Sequence, residues 1–120
     1  MFVNIVRWRV PKEKSREQLE VWREMIDYQR AHPETVSLLR SRFFTSTDEG
    51  PSEENWMFLD EYDSREDFDR FLKKWDADPE LTKLSEQFFA KWGVVMTPKS
   101  QKREYWTEVE ELRSGPLSQA

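Results

Sequence analysis

The sequence predicts an α+β fold of ferredoxin-like type, in the order β-α-β-β-α-β, with a four-stranded antiparallel sheet and helices on one face. Three observations predict it. Residues 2–10 alternate with a period of two. Two stretches carry apolar residues at helical spacing, and aromatic rings crowd the extended segments around them. Right-handed crossovers then put the first and third strands side by side in the middle of the sheet.

On the first strand, Phe2, Asn4, Val6, Trp8 and Val10 share one face, and Val3, Ile5, Arg7 and Arg9 the other. Neither face is wholly polar, which suits a strand covered on both sides, and Pro11 ends it. A helix over 15–31 follows, with Leu19, Trp22, Met25, Ile26 and Gln29 as its inward stripe. Pro33 stops it by disfavouring helical geometry at His32, which reads as a helix C-cap or exposed turn.

The second strand is predicted over 35–47, with Val36, Leu38, Arg40, Arg42 and Phe44 on one face. Residues 48–55 (DEGPSEEN) read as a hairpin loop. The third strand, 56–62, alternates Trp56, Phe58, Asp60 and Tyr62 with Met57, Leu59 and Glu61. Asp63 or Ser64 then caps a helix, with Asp67 in capping-box position and Phe68, Phe71, Leu72 and Trp75 as its stripe. Asp78-Pro79-Glu80 restarts a helix with Leu81, Leu84, Phe88 and Phe89 inward, and Gly93 is expected to end it. A last strand covers 102–109. Residues 1–109 thus form one domain, and 110–120 a loose tail.

Composition narrows the function. The 120 residues carry 24 acidic and 19 basic groups, a formal net charge of −5. That is a poor basis for gripping phosphate backbones, so no nucleic-acid partner is expected. With no cysteine and one histidine, thiol chemistry and transition-metal sites have few ligands, and neither a metal nor a cofactor is expected. No apolar run approaches the roughly 20 residues of a membrane helix, and Arg7 and Arg9 interrupt any leader-like start. A cytoplasmic protein without a membrane partner is the expectation. Residues 48–80 hold thirteen acidic against four basic groups, a pattern that fits a hairpin tip and a solvated helix N-terminus. Although 36% of residues are charged, 14% are aromatic, and large rings build a core from few positions. Val3, Ile5, Trp56 and Phe58 are expected on the sheet face that no helix covers. A second copy of the sheet would cover them, so a homodimer through the sheet faces is expected.

Three stretches carry a family likeness: the opening strand with Arg7, Trp8 and Val10 before the charged turn 11–14; the junction from Phe58 and Asp60 through Tyr62, Ser64 and Asp67 to Phe68; and the helical break over 75–84. In these the chain resembles the antibiotic-biosynthesis-monooxygenase-like branch of the dimeric α/β-barrel superfamily, over residues 2–92. The resemblance implies a pocket between sheet and helices. It also implies relatives that include cofactor-free oxygenases of electron-rich polycyclic phenols, haem-degrading enzymes, isomerases and domains that only bind ligands. The positions that carry haem chemistry in the haem-degrading members (a mid-strand Asn, a Trp and a His) map here to Arg7, Tyr62 and about Leu84. With no imidazole to ligate iron, the haem reading is set aside.

The leading functional expectation is a small-molecule-binding homodimer similar to cofactor-independent monooxygenases that act on small aromatic or polycyclic substrates. Arg7 would hold an anionic oxygen, Tyr62 would donate a hydrogen bond and Asp60 would move a proton. Arg7 and Asp60 could instead be a plain cross-strand pair. Trp56, Phe58, Phe71, Phe88 and Arg40 are the candidate ligand-binding residues, with Trp92 beside them, although aromatics at this spacing also build ordinary cores. The alternative function is a non-catalytic ligand-binding or structural dimer module.

Overall fold

The computed structural model describes residues 1–46, 50 and 52–115. Strands β1 (Phe2–Pro11), β2 (Arg40–Ser46), β3 (Glu53–Tyr62) and β4 (Lys102–Thr107) form one sheet in the order β2-β3-β1-β4, and every neighbouring pair is antiparallel. Helices α1 (Ser15–Ala31), α2 (Arg65–Ala77) and α3 (Pro79–Val95) complete the ferredoxin-like α+β fold. No helix among the described residues is long and apolar enough to cross a membrane.

Local chemistry sets most element ends. The Ser64 hydroxyl accepts the Asp67 N–H at 3.3 Å, and Asp78 Oδ1 accepts those of Glu80 and Leu81 at 2.9 and 3.3 Å. Each satisfies a donor that the first helical turn leaves open. Cap formation thus accounts for the acidic run around Asp78. His32 is the C-cap of α1, with Nδ1 3.0 Å from the Tyr28 carbonyl and its ring stacked on Tyr28.

Several boundaries depart from the sequence reading. Residues 33–35 form a short 3-10 turn, so β2 starts only at Arg40, while β3 begins earlier, at Glu53. Helix α3 runs through Gly93 to Val95, because one glycine costs a helix only about 1 kcal/mol. Leu19, Leu72 and Phe89 lie on the outer side of the helices, 45%, 39% and 50% exposed. β4 ends at Thr107. A 3-10 turn over 110–112 follows, and the N-terminal amine pairs with Glu108 and Glu110 there. The hairpin positions 47–49 and 51 and the tail positions 116–120 lie outside the described residues.

The main core is aromatic. Trp8 meets Trp92 edge to face at 4.9 Å, and Trp22 meets Phe88 and Trp92 at 4.7 and 5.0 Å. Buried Gln18 lies within reach of both indoles. With its amide oriented by those hydrogen bonds, its oxygen accepts from Trp22 Nε1 at 2.9 Å and Trp8 Nε1 at 3.0 Å. A second, smaller cluster of Phe2, Tyr62 and Phe68 sits toward the other end of the sheet.

Register decides which side chains meet. Trp8 pairs with Trp56, Val6 with Phe58, Asn4 with Asp60 and Phe2 with Tyr62. Trp56 and Phe58 therefore share the helix-covered face with Val6 and Trp8. This corrects the expectation that placed them on the open face with Val3 and Ile5. The open face instead carries Val3, Ile5, Met57 and Leu59, all partly buried, with Phe44 43% and Trp106 58% exposed.

Candidate functional site

The two core clusters are separated by a polar row. On the helix-covered face, Ser41, Asp60, Asn4 and Tyr105 stand in register across β2, β3, β1 and β4. On one side of the row lie Phe2 and Tyr62; on the other lie Val6, Phe58 and Phe43. Polar residues at core positions are unfavourable unless paired, and most buried polar atoms do find partners. Here the pairing is incomplete. Asn4 is buried, and among the described residues its Oδ1 meets no donor; Tyr62 is fully buried, and its hydroxyl finds no partner among them either.

Asp60 is the titratable centre of this row. Burial pushes its carboxyl up to about 6, against a hydrogen bond from Ser41 and the nearby charge of Arg103, which pull it down. The Tyr62 phenol is raised above its ordinary range, mainly by burial and further by the neighbouring Asp60 charge. A carboxyl that titrates near neutrality, flanked by an unmet acceptor and an unmet phenol, is suited to exchanging a proton with a bound hydroxyl. Arg65 closes one side of this region. Its guanidinium lies 5.0 Å from the Phe2 ring and 4.9 Å from Tyr105.

The other candidates divide differently from expectation. Arg7 stands opposite Met57 on the open face and pairs with Glu104 at 3.5 Å, so the sheet separates it from Asp60 and Tyr62. Neither the three-residue site nor the Arg7–Asp60 pair forms. Side chains of neighbouring strands share a face when they are register partners or lie an even number of residues from one; Arg7 pairs with Met57, three residues from Asp60, so the two side chains face opposite ways. Arg40 also lies on the open face. Its Nε and a terminal nitrogen reach Glu61 at 2.6 and 3.0 Å, and Arg42 adds a contact at 3.1 Å. The Arg40 hydrogen bond leads in holding the Glu61 carboxyl below its ordinary range.

Phe58 and Phe88 are core side chains, as is Trp92, while Trp56 and Phe71 pack against the core from partly buried positions. Phe88 also lines a groove of about 370 Å³ between α1 and α3, together with Met25, Tyr28 and Leu84. Sequence reasoning missed Asn4, Ser41 and Arg103. Asn4 carried a usable signal, as the one polar residue on the otherwise apolar face of β1. Ser41 and Arg103 carried none, since only strand register brings them to Asp60.

No protein-family model and no curated protein matches the chain. Solved structures do. An antibiotic biosynthesis monooxygenase superposes with a TM-score of 0.61 at 16% identity, covering 91% of this chain and 99% of that one. SnoaB, a cofactor-independent oxygenase from Streptomyces nogalater, gives 0.58 at 13% identity, with 96% and 97% covered. A NIPSNAP family protein from Agrobacterium tumefaciens gives 0.59 at 22% identity, with 93% and 90% covered. The chain therefore has the fold seen in these antibiotic biosynthesis monooxygenase structures. The resemblance read from Arg7, Trp8, Val10 and the 58–68 junction holds at the level of fold, which several functions share.

Proposed function

We propose that the protein is a small-molecule-binding homodimer whose site is the polar row around Asp60, acting on small aromatic or polycyclic substrates as cofactor-independent monooxygenases do. The observation that carries this reading is the raised Asp60 carboxyl between two unmet polar groups, Asn4 Oδ1 and the Tyr62 hydroxyl, in an otherwise aromatic core. Asp60 takes the proton of a phenolic or enolisable substrate. The Tyr62 hydroxyl donates to the oxygen that gains charge, and Asn4 accepts from a second substrate hydroxyl. The resulting carbanion is electron-rich enough to meet O₂ directly. A ring CH₂ becomes C=O, with one oxygen atom in the carbonyl and the other leaving as water.

Homodimer formation rests on the open face, where Val3, Ile5, Leu59, Met57, Phe44 and Trp106 make an apolar patch rimmed by charges. Native mass spectrometry tests it, with a mass near twice 14.6 kDa expected. The chemistry is tested by oxygen uptake with a panel of hydroxylated anthrones and naphthols. Uptake is expected to fall at least about 100-fold in Asp60→Asn, in the range of general-base removal, while substrate still quenches tryptophan fluorescence. Unchanged uptake in that variant overturns the assignment. Complete burial of Tyr62 favours a second reading, a non-catalytic binding module. Quenching by the same compounds without oxygen uptake by the wild-type protein would support it.

A further inference from the structure

The two ends of the polar row differ. At β2 it ends on half-buried Ser41; at β4 it ends on Tyr105, whose ring is 44% exposed, so this end meets solvent. Asn4, between them, is buried. Neighbouring strands lie about 4.8 Å apart, so the two steps from Asp60 through Asn4 to Tyr105 span about 10 Å. All of it lies on the helix-covered side, away from the face assigned to the homodimer.

Positive charge gathers at the Tyr105 end. Arg65, the first residue of α2, holds its guanidinium 4.9 Å from the Tyr105 ring, 5.0 Å from Phe2 and 5.9 Å from Phe68. Phe2 and Tyr105 stack with centroids 6.0 Å apart, and the guanidinium bridges them. Arg103 stands two residues from Tyr105 on the same face of β4, opposite Val6, and is exposed.

The placement of Arg65 works against its own helix. A cation on the first turn meets the positive end of the macrodipole, and the rings together with Asp69 at 3.5 Å offset that cost. Asp69 is its one ion-pair partner among the described residues, and the two side chains are 53% and 52% exposed. A guanidinium presents several N–H donors in a planar fork, and a single carboxylate contact at this distance leaves most of them open. A flat, cation-rich surface at the solvent end of a buried row matches a carboxylate carried on an aromatic body.

We propose that the ligand of the polar row is a flat aromatic acid, with a hydroxyl at one end and a carboxylate at the other, and that Arg65 is the residue that selects it. The hydroxyl meets Asp60, the rings lie over Asn4 between Phe2 and Val6, and the carboxylate pairs with Arg65 beside Tyr105. Two fused rings substituted at opposite ends span the row, and a single ring falls short. The inference rests on the reading of the row as the substrate site and adds the far end of the ligand.

The test is calorimetric titration of the full chain at pH 7 with three compounds. In 6-hydroxy-2-naphthoate the two groups lie at opposite ends, in 3-hydroxy-2-naphthoate they are adjacent, and 2-naphthol has no carboxylate. The 6-hydroxy acid is expected to bind at least about 10-fold more tightly than either of the others, the gain of one charge-assisted contact, and to displace 2-naphthol. Arg65→Gln is expected to bring it down to the affinity of 2-naphthol; the side chain is half exposed, so the fold is kept. Asp69→Asn, which frees the guanidinium from its counter-charge, is expected to tighten the acid about 2-fold. Binding of the 6-hydroxy acid no tighter than that of the other two, or a preference that survives Arg65→Gln, overturns this inference and leaves the assignment of the row standing. Binding of none of the three overturns both.

Discussion

Asp60 and Glu61 are neighbours on β3, one residue and one sheet face apart. Asp60 points beneath the helices, where burial raises it to about 6. Glu61 points to the open face, where Arg40 and Arg42 hold it below its ordinary range although it is itself buried, 7% exposed. The same functional group is strained toward its neutral form on one side and locked in its charged form on the other. The difference lies in the partners. Glu61 has three guanidinium contacts within 3.1 Å, while Asp60 has a serine hydroxyl and a more distant charge. A charge that is fully answered serves structure, and one left partly unanswered is available for chemistry.

The largest effect separates the two faces by packing. Phe58 is buried among Trp8, Trp22 and Phe43, with ring centroids 5.3–5.9 Å apart. Phe58→Ala is expected to destabilise the fold by about 3–5 kcal/mol in urea denaturation, through lost burial and the cavity left behind. Leu59→Ala, on the partly covered open face, should cost about 1 kcal/mol in dilute protein. Equal losses at the two positions would mean that the open face is as well covered as the helix side.

The next effect is a slope with pH. The folded Asp60 titrates near 6 and its reference value is 3.8, so between those values the folded chain holds a proton that the unfolded chain has released. Stability from this residue is therefore full below about pH 4, falls as pH rises to about 6, and levels off above. Raising the carboxyl from 3.8 to about 6 corresponds to at most about 3 kcal/mol. Asp60→Asn is expected to remove that slope and to raise stability at pH 7 by about 2 kcal/mol. Glu61 has the opposite sign. Its contribution is present above its reference value of 4.5 and is lost as pH falls below it, so Glu61→Gln should flatten part of the acid limb. A pH series of urea midpoints for the two variants checks both signs.

How much of this was legible follows from the range of the interactions. The caps at Ser64 and Asp78 and the extent of α1 depend on residues within a turn of one another, and the sequence displays them directly. The alternation along β1 and along β3 was also plain, and it correctly grouped Asn4 with Trp8 and Asp60 with Phe58. What alternation within a strand does not contain is the parity between strands. Trp56 pairing with Trp8 rather than with a residue one place along decides that Asp60 meets Asn4 and not Arg7. A slip of one residue exchanges the two faces, and with them the whole site. Arg103 was invisible for the same reason, although it is the guanidinium whose field reaches Asp60.

The smallest expected effect tests that parity directly. Arg103 lowers the Asp60 carboxyl from the helix-covered side, while Arg7 sits on the far side of the sheet, paired with Glu104. Removing Arg103 takes away a stabiliser of the Asp60 carboxylate, so Arg103→Gln should move its titration midpoint above about 6, by less than about one pH unit. Arg7→Gln, an equal change of formal charge, should leave that midpoint in place. Carboxyl chemical shifts followed by NMR from acid to mildly alkaline pH in the two variants read the difference. A moved midpoint in the Arg7 variant and none in the Arg103 variant would place Asp60 on the open face, and the polar row would dissolve with it.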